Sequence, residues 1–205
     1  MKALLINGSP KAKGNTAIAL REVQTELERS GIETELLHIG NRAIRGCVAC
    51  GGCFKTGKCV FDDAVNAAAP KFEAADALIV GCPVYYGSAN ATLTAFLDRL
   101  FYSTHFDKTM KVGAAVVIAR RGGCSAAFDR LNKYFTICGM PVASSQYWNS
   151  VHGRAPGEAE QDGEGLQTMR TLARNTAFLV KSIALGKERY GLPEREEWIP
   201  THFIR

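Results

Sequence analysis

The chain has 205 residues, 46% hydrophobic and 22% charged, with a formal net charge of +5. That length supports one well-buried core, so a single domain over residues 1–205 is expected. The basic residues are scattered, which argues against a nucleic-acid partner, and no apolar run reaches the ~18 residues of a membrane span.

In chain order, Lys2–Ile6 is an aliphatic run of the kind a parallel sheet buries on both faces. The start MKALLINGSP has no small-residue cleavage site, so it reads as a first strand and the protein as cytoplasmic. A loop leads to a helix ending near Ser30, with Thr16, Leu20, Val23 and Leu27 on one face and Gly31 as its stop. Glu33–Ile39 reads as a second strand whose charges suit a sheet edge. A cysteine-rich insertion at 41–61 follows, then a helix at 62–75 that contains Pro70, and a third strand at Asp76–Cys82.

Ala91–Tyr102 is expected to be helical, Val112–Ala119 a strand, Ala126–Gly139 a helix and Pro141–Ala143 a short fifth strand. The last helix is read from Glu158 to Leu185. The tail, 191–205, is too apolar for a free end and is expected to pack on its own subunit or a neighbour. Alternating strands and helices imply an α/β, flavodoxin-like three-layer sandwich with a five-stranded parallel sheet in the order 2-1-3-4-5.

In such a sheet, ligands sit beyond the carboxyl ends of the strands. Three loops fall there. The first, with Ser9, Lys11, Gly14, Asn15 and Thr16, offers hydroxyls, an amide, lysines and free N–H groups at a helix N-terminus, which suits a phosphate. It is neither a Walker loop nor G-x-G-x-x-G, so a nucleoside triphosphate or a Rossmann-bound dinucleotide is disfavoured. The second, Pro83-Val84-Tyr85-Tyr86-Gly87-Ser88, forms an aromatic wall for a flat heteroaromatic ring. The third, Arg120-Arg121-Gly122-Gly123-Cys124, lets backbone approach that ring and places arginine near it. Phosphate and flat ring together describe FMN.

The stretches GSPKAKGNT, PVYYGSANATLTAFLDR and GCVACGGCFKTGKC resemble the NADPH-dependent FMN reductase superfamily, and specifically its iron-sulfur flavoprotein branch. The resemblance spans about the first 140 residues; the C-terminal third carries no motif of the family. It implies that Ser9, Lys11, Asn15 and Thr16 hold the FMN phosphate. Pro83, Tyr85, Tyr86, Gly87 and Ser88 would line the isoalloxazine and ribityl chain, and Arg120, Gly122 and Gly123 would close over the ring. Homodimers or homotetramers are implied as well.

Four of the seven cysteines lie in GCVACGGCFKTGKC, spaced C-x2-C-x2-C-x5-C. Closely spaced thiolates are the usual ligands of iron-sulfur clusters, whereas structural zinc prefers two separated C-x2-C pairs. In the branch it resembles, this segment holds a [4Fe-4S] cluster that exchanges electrons with FMN, which assigns Cys47, Cys50, Cys53 and Cys59 as ligands. Free or redox-active thiols are the next reading and zinc the last. Cys82 and Cys138 read as packing residues, as does Cys124, although the ring-side loop brings it toward the flavin.

His38, His105, His152 and His202 show no ligand spacing; Ser103-Thr104-His105 is a candidate for a substrate mouth, and Tyr147-Trp148 with His152 is a candidate for one lined from a neighbouring subunit. No side chain is assigned a catalytic role, because flavin carries the redox chemistry itself. The expected function is an FMN-dependent oxidoreductase taking electrons from NAD(P)H or another low-potential donor. They would pass to a quinone, flavin or metal acceptor, or to a redox protein, through the cluster if it is present. The alternative is a non-catalytic electron carrier or thiol sensor of flavodoxin type.

Overall fold

The sheet is dictated by runs such as Ala3-Leu4-Leu5-Ile6, whose alternate side chains enter two different cores. The computed structural model of the chain describes residues 1–197, 199–201 and 203. The strands are β1 (Lys2–Asn7), β2 (Glu33–His38), β3 (Ala77–Tyr85), β4 (Ser88–Ala89), β5 (Val112–Ala119) and β6 (Ser150–His152). The helices are α1 (Asn15–Arg29), the single turn α2 (Cys53–Thr56), α3 (Ala64–Ala74), α4 (Ala91–Ser103), α5 (Cys124–Thr136) and α6 (Gly163–Tyr190).

Five strands run parallel in the order β2-β1-β3-β5-β6, with β4 turned back antiparallel on the end of β3. This is the expected order once the two-residue β4 is set aside. Leu5, Ile79 and Val116 face α1 and α6, meeting Leu20, Leu27, Met169 and Leu172. Leu4, Val80 and Val117 face the other way, onto Phe72 of α3, Phe96 and Leu100 of α4, and Leu131 and Phe135 of α5. The sheet is the middle of three layers, and the fold is flavodoxin-like.

Three expectations need correction. The fifth strand is Ser150–His152, not Pro141–Ala143, which contributes only a bridge between Gly113 and Val142. The Gly113 N–H donates to the Pro141 carbonyl at 2.8 Å and the Ala143 N–H to the Gly113 carbonyl at 2.9 Å, which closes that single bridge before the chain moves on to β6. The last helix does not run unbroken from Glu158: a 3-10 turn covers Glu158–Gln161, and Asp162 restarts the chain as α6 by accepting from the Gly165 N–H at 2.9 Å. Finally, β3 runs on through Tyr85, three residues past the end read from sequence, because Tyr86 and Gly87 make a hairpin turn.

In the tail, Arg195 pairs with Asp107 at 2.9 Å, while Ile199 and Phe203 are exposed. Trp198 and His202, on which the readings of the tail and the histidines partly fell, lie outside the described residues.

Candidate functional site

The loop Gly8–Gly14 is fixed by its surroundings before any ligand is considered. Gly8 N–H donates to the Gly81 carbonyl at 2.9 Å and the Asn90 amide to the Gly8 carbonyl at 2.9 Å. Ser9 N–H donates to Asn7 Oδ1 at 3.0 Å, Lys11 N–H to Ser9 Oγ at 3.2 Å, and His38 Nε2 meets the Ser9 carbonyl at 2.7 Å. Gly40 lies so close that a Cβ there would run into that same carbonyl. His38 is thus a scaffold for the loop, an outcome in keeping with its lack of ligand spacing.

α1 begins at Asn15 after Gly14, and no side chain caps it. The first N–H groups of a helix have no partner in its ladder, so this terminus offers donors and the positive end of a dipole. Asn15 does not aim its side chain at that space alone. Its Nδ2 donates to the Ala155 carbonyl at 3.0 Å, and its Oδ1 accepts from the N–H groups of Gly157 and Ala159 at 3.1 and 3.3 Å. Its principal structural work is to tie α1 to the loop after β6.

The second loop is a hairpin turn. Tyr86 and Gly87 both have positive φ, 49° and 73°, and Val84 pairs with Ala89 and Tyr85 with Ser88. That is the type I′ geometry, costly for a tyrosine and free for glycine. Tyr85 is half exposed and Tyr86 wholly so. The third loop is seated on the second: Gly123 has φ 92°, and a Cβ there would lie 2.7 Å from the Gly87 Cα and 2.8 Å from Val84.

A cavity of about 230 Å³ opens between these loops. Of the residues singled out from sequence, Ser9, Lys11, Gly14, Asn15, Thr16, Pro83, Val84, Tyr85 and Arg120 line it. Tyr86, Gly87, Ser88 and Gly123 do not line it but form the rim through the contacts just described, and Gly122 does not line it either. Sequence reasoning missed Gly153, Arg154 and Pro156, which line it from the loop after β6. The one available signal was the GRAP run at 153–156, glycine and proline flanking a cation, and no periodicity tied it to the first loop. Glu158 pins this loop: its carboxylate accepts from the N–H groups of Ala155 and Arg154 at 2.9 and 2.5 Å, which holds it below the usual carboxylate range. Among the described residues no carboxylate lines the cavity.

One of the substrate-mouth candidates lies away from this cavity. Ser103 and Thr104 are buried at the far end of α4, and Ser103 abuts the cysteine segment. Tyr147 and Trp148 are exposed and pack on one another at 4.9 Å. Cys82 is buried in β3, which pushes its thiol up to about 12, in keeping with a packing role. Cys124 is the first residue of α5 and sits 4.0 Å from His152 Nε2, its thiol also raised by burial.

Cys47, Cys50, Cys53 and Cys59 all line one small hollow against Val60, Phe61, Arg99 and Tyr102. None is in a disulfide. The chain curls there through positive φ at Ala49, Gly51 and Gly57, and a Cβ on Gly52 would strike Val60 at 2.6 Å. Among the described residues no three His, Cys, Asp or Glu side chains gather closely enough to hold a metal ion. Tetrahedral zinc would bring thiolates to roughly 3.8 Å of one another, from its ~2.3 Å bonds. The four-thiol donor set, with no carboxylate or imidazole in it, suits the larger body of an iron-sulfur cluster better. The hollow and the cavity lie at opposite ends of α4: Asn90, just before it, holds the Gly8 loop, and Tyr102 near its end lines the hollow.

The family model for NADPH-dependent FMN reductase matches residues 1–155. An iron-sulfur flavoprotein of Methanocaldococcus jannaschii is 34% identical over 191 residues, covering 89% of this chain and 99% of that one. One of Methanosarcina thermophila is 31% identical over 193 residues, covering 92% and 100%. The solved NAD(P)H:quinone oxidoreductase of Methanothermobacter marburgensis shares the fold with a TM-score of 0.66 at 16% identity, covering 85% of this chain and 95% of that one. With its family match over residues 1–155 and its fold, the chain belongs to the NADPH-dependent FMN reductase family of FMN-binding, flavodoxin-like oxidoreductases.

Proposed function

We propose that the cavity between the three loops is the FMN site of an oxidoreductase that takes electrons from NAD(P)H and delivers them to a quinone, flavin or metal acceptor by way of a [4Fe-4S] cluster. The observation that carries the reading is the cavity's chemistry. The N-terminus of α1, Lys11, Arg120 and Arg154 converge on a space that no carboxylate among the described residues lines, beside an apolar wall of Pro83, Val84 and Tyr85. A dianionic phosphate tied to a flat ring satisfies both halves.

FMN supplies the redox chemistry that no side chain here offers. The chain's own part is placement. Backbone N–H groups of Asn15 and Thr16 and the Ser9 hydroxyl would bind the phosphate, Lys11 and Arg154 would neutralise it, and Arg120 would compensate negative charge gathering on the ring. The rim of Tyr85, Tyr86, Gly87, Ser88 and Gly123 would exclude water from one side of the ring. Cys47, Cys50, Cys53 and Cys59 would hold the cluster, whose contribution is transfer of single electrons. The family's iron-sulfur relatives support this part.

The test is an absorption spectrum of protein purified without oxygen, with iron and sulfide analysis, followed by NAD(P)H oxidation with a quinone. Flavin bands over a broad absorbance that dithionite bleaches, plus quinone-dependent turnover, are expected. Absence of bound flavin would sink the site. Flavin without iron would leave a plain FMN reductase, and no turnover without a partner reductase would favour an electron carrier.

A further inference from the structure

Arg99 is the most voluminous fully buried side chain among the described residues, at 1% exposure, on a face of α4 otherwise filled by Leu93, Phe96, Leu97 and Leu100. A charge taken out of water costs several kcal/mol unless it is paired and hydrogen-bonded. Asp63 supplies the pairing, accepting from Nη1 at 2.6 Å and from Nη2 at 3.0 Å. The remaining donors go to the carbonyls of Arg45 at 3.4 Å and Phe61 at 3.0 Å, and from Nε to the Cys59 sulfur at 3.2 Å. A guanidinium has five N–H groups, and here all five are spent on the segment from Arg45 to Asp63, which brackets the four cysteines.

Asp63 offsets the charge, while the acceptor that Nε meets is a cysteine sulfur held in place. Asn66 accepts from the Cys59 N–H at 3.0 Å and donates to the Cys59 carbonyl at 2.9 Å, so the Cys59 backbone is gripped on both sides while its sulfur faces Arg99 and the shared hollow. None of the other three cysteines receives a donor from a charged side chain among the described residues.

We infer that Arg99 is a positioning residue for the cluster, holding an N–H···S bond on Cys59 that sets the cluster's reduction potential above the value the four thiolates alone would give. The inference rests on the cluster reading of the four cysteines. Its physical basis is that donors to ligand sulfur draw off electron density and stabilise the more negative, reduced form. Because Asp63 neutralises the guanidinium charge, the hydrogen bond and the charge make separable contributions.

The test is an EPR-monitored redox titration of the full chain, purified without oxygen and reconstituted with iron and sulfide. Arg99→Lys keeps a cation for Asp63 but loses the Nε fork, and it should shift the potential down. Asp63→Asn leaves the guanidinium charge uncompensated and should shift it up. Asparagine caps a helix as well as aspartate does, so the start of α3, where Asp63 accepts from Val65 N–H at 2.9 Å, is preserved. Shifts in opposite directions are the expected result, since a residue that merely propped the loop would not move the two variants apart.

Potentials equal to wild type in loaded variants, or shifts of the same sign, overturn the inference while leaving the cluster reading intact. If Arg99→Lys does not fold, the double variant Arg99→Met/Asp63→Asn, which removes the N–H···S donor without leaving an unpaired charge, replaces it: an unchanged or raised potential rejects the proposal. Wild-type protein that takes up neither iron nor sulfide ends the cluster reading and the inference with it.

Discussion

Replacing Asn15 by alanine removes a side chain that spans 140 and more positions of sequence through three hydrogen bonds, at 3.0, 3.1 and 3.3 Å. A net hydrogen bond is worth about 1 kcal/mol, and the N–H groups of Gly157 and Ala159 are left with no acceptor near the fully buried Ala159. Water reaches the Ala155 end, so the loss is about 2–3 kcal/mol rather than more. For a chain of this size that corresponds to a fall of roughly 5–10 °C in Tm. The loosened loop carries Gly153, Arg154 and Pro156, so FMN binding should weaken too.

Asn15→Asp separates the two effects. Its carboxylate still accepts from both N–H groups, so most of the stability returns, but it adds negative charge where the phosphate would sit. Titration with FMN and with riboflavin reads the difference: the aspartate variant should lose affinity for FMN and much less for riboflavin, which has no phosphate. Thermal unfolding of Asn15→Ala within about 1 °C of wild type would refute the reasoning about the tie. Equal losses for FMN and riboflavin in Asn15→Asp would remove the phosphate from this end of α1.

Glu26, 7% exposed, accepts from Arg174 Nε at 2.7 Å and lies near Arg29 at 3.4 Å, and Arg174 chiefly holds its carboxyl below the usual range. A depressed carboxylate stabilises the fold above its unfolded pKa and loses that contribution as pH falls through the folded one. The stability difference between wild type and Glu26→Gln, followed by denaturant unfolding, should therefore be full near neutrality and shrink below about pH 4; a difference that grows on acidification contradicts the assignment. Tyr86→Asn should raise stability by about 1 kcal/mol by relieving left-handed strain while weakening flavin binding through the lost aromatic rim. Calorimetry and flavin titration would show it, and a loss of stability would mean the ring packs in a way its full exposure does not suggest.

The alternation of buried runs with amphipathic segments was enough for the fold class. Ala3-Leu4-Leu5-Ile6 and Val112–Ala119 can be buried on both faces only in a covered parallel sheet. The same holds for the loops carrying Ser9 to Thr16 and Pro83 to Ser88, since a loop that follows such a strand must emerge on one edge. Short-range chemistry of this kind is written in consecutive residues, and it carried most of the residues that line the cavity.

What tertiary structure alone decided came from contacts between residues far apart in sequence. Asn15 was assigned to the phosphate on its amide and on the resemblance of its loop; that this amide also ties α1 to residues 140 to 144 positions away is something no local pattern announced. The fifth strand lay at Ser150–His152 rather than at the apolar Pro141–Ala143, because only the former keeps register with β5 over three residues, which local apolar character does not reveal. Arg99 carried no reading of its own in the sequence, and only folding places it under Cys59 with every donor engaged. Sequence fixes which groups are available; burial, which depends on the whole chain, decides which of them must find partners.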